Sequence, residues 1–142
     1  MNVFLVGERS EPLRAPCYLL DFPGYGYARA AKTDRAGFAR LLDGILDRPR
    51  LVGVVWLLDI RRDPSPEDAG MQDRLAAAGV PVLATLTKGD KLPRGQRLRR
   101  AAALRAAVGL DDDQVIVTSA HTGDGIPDLR DAVAALAAQE VR

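Results

Sequence analysis

The chain has one cysteine, one histidine and one tryptophan in 142 residues, and aromatic residues make up only 5% of it. A lone Cys17 excludes an internal disulfide. With His121 as the single imidazole, a zinc site or a Cys-His catalytic pair has little to work with. Charge of one sign is also missing. Twenty Lys and Arg against 19 Asp and Glu leave a net +1, so no overall field argues for nucleic acid or a membrane, and any basic surface has to be local. The longest uncharged apolar run, Leu51 to Leu58, is eight residues, where a bilayer-spanning helix takes ~20. The opening Met-Asn-Val-Phe-Leu-Val-Gly-Glu has no basic n-region and too short an apolar stretch for a signal peptide. These absences point to a cytoplasmic protein with no membrane partner.

What is present is ordinary globular composition, 47% hydrophobic and 27% charged, in a length that suits one domain with a real core. Val3 to Val6 and Cys17 to Leu20 read as short strands around a charged, proline-bearing loop, which predicts an antiparallel hairpin. Phe38, Leu41, Leu42, Ile45 and Leu46 recur at helical spacing, predicting a helix from Thr33 to Asp47. Leu51 to Leu58 is apolar on both faces, as a strand covered on both sides must be. Ser65-Pro-Glu-Asp68 is a helix start, and Gly79 a glycine stop after Met71 and Leu75. Pro81 to Leu86 is another buried strand, Arg94 to Val108 a helix, Val115 to Val117 a short strand. Pro127 begins a closing helix with Ile126, Leu129, Val133 and Leu136 inward. Strands alternating with helices predict a mostly parallel, doubly wound α/β sheet.

In such a sheet the C-terminal strand tips share an edge, and three tips carry polar residues. Asp21 precedes Pro23-Gly24. Its carboxylate suits a metal, held directly or through water, and Gly24 lets a backbone N–H approach an anion. A plain turn has the same composition, so this segment alone leaves both readings open. Thr87-Lys88-Gly89-Asp90 is more informative. A carboxylate fixed at a tip can accept two N–H bonds from the Watson–Crick edge of guanine, which adenine does not offer, and the stem of Lys88 can lie along the base. In Thr118-Ser119-Ala120 the small residue leaves a backbone N–H for the guanine oxygen.

The order Asp-x-Pro-Gly, Thr-Lys-x-Asp, Ser-Ala resembles the third, fourth and fifth motifs of GTP-binding G domains. The strings Asp21-Phe-Pro-Gly-Tyr-Gly-Tyr-Ala28, Asp59-Ile-Arg-Arg62 and Thr87-Lys-Gly-Asp-Lys-Leu92 resemble one family in particular, the YihA/EngB (also YsxC) ribosome-biogenesis GTPases of bacteria. The likeness covers essentially the whole chain. It implies a P-loop NTPase-type G domain that binds GTP or GDP with Mg²⁺, as a monomer, and acts on the large ribosomal subunit precursor through rRNA and ribosomal proteins. By position it implies that Asp21 binds Mg²⁺ through water and that the Gly24 backbone faces the γ-phosphate, with Phe22 and Pro23 in the same segment. Thr87, Lys88 and Asp90 form the guanine pocket, Gly89 contributes backbone, and Thr118, Ser119 and Ala120 close it. Tyr25 stands where small GTPases place a water-orienting glutamine, so intrinsic hydrolysis is expected to be slow or to depend on a partner or ion.

G domains hold the β- and γ-phosphates with Gly-x-x-x-x-Gly-Lys-[Ser/Thr], and the chain contains no Gly-Lys dipeptide. Val6-Gly-Glu-Arg-Ser10 lacks the second glycine and the lysine. The resemblance therefore implies an N-terminal truncation before Met1 that removes the first strand, phosphate loop and first helix, and leaves the two strands flanking the lost one unpaired. The alternative function is a truncated, non-hydrolysing G-domain fragment that retains guanine recognition or acts only as a ribosome- or partner-binding module. Gly24-Tyr-Gly26-Tyr-Ala28-Arg29 lacks the third glycine of a dinucleotide fingerprint and is rejected. His121 reads as surface, Tyr25 and Tyr27 as partner contacts or switch-loop packing, and Asp59 as a structural partner of Arg61 or Arg62. Six basic residues and no acid lie between Lys91 and Arg105. A solvated helix face explains such a run, and only the family likeness suggests rRNA.

Overall fold

A computed structural model describes residues 1–7, 16–25 and 32–139. Strands β1 (Asn2–Val6) and β2 (Cys17–Asp21) pair antiparallel, with Asn2 opposite Asp21 and Val6 opposite Cys17. Helix α1 (Lys32–Leu46) leads to β3 (Val54–Asp59), α2 (Pro66–Ala78), β4 (Val82–Thr87), α3 (Arg94–Ala107), β5 (Val115–Val117) and α4 (Ile126–Ala137). Strands β3, β4 and β5 form a parallel sheet in that order, with Asp59 opposite Thr87 and Leu86 opposite Val117. This is the expected α/β alternation, with one correction. The tips of β3, β4 and β5 share an edge, but β2 belongs to a separate two-stranded sheet, because no strand hydrogen bonds join β2 to β3 among the described residues. Among the described residues β2 pairs with β1 alone and β3 with β4 alone.

Local signals account for the helices. Ser65 caps α2 reciprocally: its hydroxyl accepts from Asp68 N at 3.1 Å, and the Asp68 carboxylate accepts from Ser65 N at 2.7 Å. Gly79 ends the helix in the left-handed region at φ 64°. Apolar residues at helical spacing on α1 (Leu42, Leu46), α2 (Leu75) and α3 (Leu104) bury against Trp56 and Leu58 of β3, Ile60 beyond it, and Leu86 of β4. The opposite face meets α4, whose Leu136 lies over Gly53, and leaves Leu57 63% exposed. The β1–β2 pair is the least covered part, with Val3, Phe4, Leu5, Tyr18 and Leu19 all exposed. No helix among the described residues is long and apolar enough to cross a membrane.

One buried group goes against the core. Thr85, in the middle of β4, is 1% exposed and its hydroxyl has no hydrogen-bond partner among the described residues. Burying an unpaired hydroxyl costs roughly 1–3 kcal/mol, and valine fills nearly the same volume without it. Thr85→Val is expected to stabilise the fold by about 1 kcal/mol, read as a higher urea midpoint at unchanged slope.

Candidate guanine-recognition edge

The β4 tip is held from both sides. On the β5 side, Gly89 N donates to Thr118 O at 2.9 Å, and a Cβ on Gly89 would lie 2.8 Å from Val117 Cγ1, so only glycine allows this approach. A single 3₁₀ turn over Gly89–Lys91 then turns Asp90 back toward Ser119, whose hydroxyl donates to Asp90 Oδ1 at 2.7 Å. That bond, reinforced by Lys91 at 3.4 Å, holds the Asp90 carboxyl below the usual carboxylate range despite its desolvation. The result is a charged, oriented acceptor whose remaining lone pairs can take donors from a ligand.

Ser119 is fully buried and occupied in this support. Its N–H donates to Asp124 O at 2.9 Å, its hydroxyl accepts from Thr122 N at 3.1 Å, and its carbonyl accepts from Gly123 N at 2.8 Å. The backbone N–H expected of Ser119-Ala120 is therefore not that of Ser119. Ala120 N makes no backbone hydrogen bond among the described residues and lies at the exposed tip. Thr118 is buried, its N–H donating to Leu86 O at 2.8 Å.

On the β3 side, Thr87 Oγ1 donates to Leu58 O at 3.1 Å, and Lys88 Nζ donates to Asp59 Oδ2 at 3.0 Å. The Arg61 side chain also binds Asp59, at 2.9 Å and 2.7 Å, and these bonds together with Lys88 keep the Asp59 carboxyl well below the usual range. Asp59 thus pairs with Arg61, one of the two partners read from sequence. Its bond to Lys88 was not foreseen, because it joins residues 29 positions apart.

Asp21, Phe22, Pro23 and Gly24 lie together after β2, on the other sheet. Asp21 is exposed and accepts a bond from Asn2 Nδ2 at 3.2 Å. Phe22 meets Phe38 of α1 edge to face, with ring centroids 6.4 Å apart. Among the described residues, Tyr25 ties this segment to the three-stranded sheet by hydrogen bonds. Its hydroxyl donates to Asp68 and accepts from Trp56 Nε1 at 2.8 Å, and burial with the neighbouring carboxylate pushes its pKa up. Tyr25 therefore has partners within the chain. Tyr27 and Ala28, like Glu8 to Ser10 of the Val6–Ser10 segment, lie outside the described residues. His121 is exposed.

For Mg²⁺, the described residues contain no group of three or more His, Cys, Asp or Glu able to hold a metal. Asp21 alone fits a different mode, in which Mg²⁺ keeps most of its waters and takes one carboxylate together with phosphate oxygens. The basic run is largely committed to the fold. Arg97 binds Leu92 O at 3.0 Å and Asp124 at 3.4 Å, Arg100 binds Ile60 O and Asp63 at 2.8 Å each, and Arg105 pairs with Asp112 at 2.8 Å. Arg94 and Arg99 are exposed and have no ion pair among the described residues.

A parallel sheet with polar strand tips on one edge and helices on its faces is an α/β domain, and the solved structures it superposes on show it to be of the G-domain type. A crystal structure of a probable GTP-binding protein EngB superposes with a TM-score of 0.69 at 20% identity, covering 84% of this chain and 77% of that one. Translation elongation factor SelB from Methanococcus maripaludis, in its apo form, gives 0.61 at 19% identity over 87% of this chain and 25% of its own. At these identities the likeness shows the fold. No family model matches the chain. Sequence relatives are more specific. The probable GTP-binding protein EngB of Gemmatimonas aurantiaca is 48% identical over 121 residues, 84% of this chain and 59% of the relative. That of Syntrophomonas wolfei is 40% identical over 137 residues, 96% of this chain and 67% of the relative. The chain belongs to the EngB family, and spans about three-fifths to two-thirds of the length of these two members.

Proposed function

We propose that this chain carries the guanine-recognising part of a GTP-binding protein that acts in assembly of the large ribosomal subunit. The observation that supports this reading best is Asp90, a carboxylate turned by Ser119 and held ionised at the sheet edge beside Lys88 and Ala120. In this reading Thr87, Lys88, Gly89 and Asp90 take the base, Thr118, Ser119 and Ala120 close the pocket, and Asp21 holds Mg²⁺ through water beside the Phe22-Pro23-Gly24 turn. The partner is the large-subunit precursor, met through rRNA and ribosomal proteins. Exposed Arg94 and Arg99 are the basic groups left for it, and Arg99 lines a shallow hollow with Gln96, Arg100 and Ala103.

The absence of any Gly-Lys dipeptide favours the second reading for the polypeptide by itself, a non-hydrolysing module that keeps base recognition. Titration of the purified chain with fluorescent GDP and Mg²⁺, competed by guanosine, GTP and ATP, separates the possibilities. The expected result is displacement by guanosine and GTP at similar concentrations, none by ATP, and no phosphate release from GTP. Equal displacement by ATP, or a flat titration, overturns the assignment of the guanine pocket. GTP turnover overturns the non-hydrolysing reading.

A further inference from the structure

Lys88 is the one non-glycine residue with positive φ among the described residues, at φ 63° and ψ 33°. A side chain in that region is disfavoured by roughly 1–2 kcal/mol, so the surrounding contacts must hold it there. Backbone bonds fix both neighbours. Thr87 O accepts from Ile60 N at 3.1 Å, and Gly89 N donates to Thr118 O at 2.9 Å. The far end of the Lys88 side chain is fixed separately, at Asp59 Oδ2, 3.0 Å away.

Asp59 is not part of the base-recognition segment. It ends the neighbouring strand, directly opposite Thr87, and its other contacts hold it still. Oδ1 accepts from Arg61 N at 3.0 Å and from Arg61 Nε at 2.9 Å, and Oδ2 accepts from an Arg61 terminal nitrogen at 2.7 Å. The Asp59 side chain is 14% exposed, against 52% for Lys88. A clamped carboxylate thus anchors the tip of an exposed, flexible side chain whose backbone is already anchored. The four-carbon stem between the two anchors is left exposed at the sheet edge, at the start of the turn that carries Asp90.

We propose that Asp59 is a positioning residue for base binding: by holding the Lys88 ammonium, it fixes the Lys88 stem as an apolar platform for the purine ring. This rests on the guanine-pocket reading above and adds a residue and a division of labour to it. Asp90 reads the base edge and sets selectivity. Asp59, acting through Lys88, presents a surface that any purine can lie on and sets affinity. Ordering the lysine stem before the ligand arrives removes a cost the ligand otherwise bears, of a size that changes affinity roughly three- to tenfold.

The test uses the intact chain, with guanosine and inosine each competing against fluorescent GDP. Inosine lacks the 2-amino group, so the guanosine-to-inosine ratio reports the Asp90 contact and the absolute affinity reports the platform. Asp59→Asn is expected to weaken both ligands by the same three- to tenfold factor and leave the ratio unchanged. Lys88→Met keeps most of the stem, removes the ammonium and leaves the Asp59–Arg61 pair intact. It is expected to weaken both ligands similarly, and Asp59→Asn added to it to do nothing more. If Asp59→Asn unfolds the chain, Lys88→Met alone carries the test. A second readout needs no ligand. The chain has three lysines, Lys32, Lys88 and Lys91, so ¹³Cε labelling gives three resolvable side chains. The two ε protons of Lys88 are expected to be inequivalent in the wild type and to merge in Asp59→Asn.

Unchanged Lys88 signals, or unchanged affinity in Asp59→Asn and Lys88→Met, overturn the positioning role while leaving the pocket standing. A changed guanosine-to-inosine ratio in Asp59→Asn overturns it too, since it shows general loss of the pocket. A wild-type chain with no guanosine displacement overturns the pocket reading and this assignment with it. That failure is recognisable because it appears before any variant is made.

Discussion

Asparagine at position 90 is expected to abolish the preference for guanine and transfer it to xanthine. An ionised Asp90 is an acceptor only, which suits the N1–H and 2-amino donors of guanine. Ser119 Oγ already occupies Oδ1 at 2.7 Å, and an asparagine oxygen can accept that same bond, so the turn over Gly89–Lys91 has reason to persist. The amide nitrogen then faces the ligand and brings donors against donors. Xanthine carries a carbonyl where guanine carries the amino group and accepts from that nitrogen. Hydrogen bonds to a charged group contribute roughly 1.5–3 kcal/mol each, so guanosine affinity is expected to fall by about two orders of magnitude. Competition of guanosine, inosine, xanthosine and adenosine against fluorescent GDP reads the change, and a denaturation curve on the same sample shows that the fold survives. Guanosine bound equally well by Asp90→Asn places the base somewhere other than against this carboxylate. The contrast with Asp59→Asn is built in, because one substitution moves the ratio of bases and the other moves affinity at constant ratio.

Residues close in sequence made most of the chain legible. The capping box of Ser65 and Asp68, the glycine stop at Gly79 and the apolar spacing of α1 are local rules, and the elements fall within a few residues of their predicted limits. The exceptions have physical causes. The apolar run begins at Leu51, but β3 begins at Val54, where Val54 N donates to Pro81 O and the register with β4 starts. Before that point there is no partner strand, and apolar character alone makes no ladder. At the other end β3 and β4 run on to Asp59 and Thr87, because Ile60 N still finds Thr87 O. What pattern cannot supply is pairing between distant segments. Asp59 with Lys88, Tyr25 with Asp68 and Trp56, and Gln72 with Val108 O depend on which elements lie side by side. The basic run of α3 shows the same limit from the other direction. Its charges are plain in the sequence, whereas the partners that occupy Arg97, Arg100 and Arg105 lie on neighbouring loops. The β1–β2 hairpin is legible from its two short strands, whereas a pattern that gives each strand its faces but not its neighbours does not show that the β2 tip lies on a different sheet from the tips of β3, β4 and β5.

The largest effect on stability is expected from a residue that touches no ligand. Gly125 begins α4 at φ 70° and ψ −2°, and a Cβ there would lie 2.0 Å from Val117 O, 3.1 Å from Val117 C and 3.4 Å from Thr118 Cα. All three are backbone atoms of the β5 tip, and a Cβ has no rotamer by which to avoid them. Gly125→Ala must therefore push the start of α4 away from β5. The residue before it accepts the Ser119 N–H at 2.9 Å, so the displacement strains the bond that holds fully buried Ser119, and through Ser119 the Asp90 carboxylate. Left-handed backbone costs alanine about 1–2 kcal/mol, and a buried donor losing its partner costs about 1–3 kcal/mol more. The sum, about 2–5 kcal/mol, is a large part of the roughly 5–15 kcal/mol that holds an ordinary domain together. Gly123 supplies the control. It also has positive φ, 82°, but among the described residues nothing lies within 4 Å of its would-be Cβ, so Gly123→Ala carries the backbone cost alone. Urea denaturation of the two variants side by side separates the terms: Gly125→Ala is expected to lose about twice as much stability as Gly123→Ala. It is also expected to lose guanosine affinity at concentrations of urea where both remain folded. Equal losses in the two variants mean that the close approach to Val117 yields without moving Asp124, and that the β5 tip does not depend on the glycine for the position of Ser119.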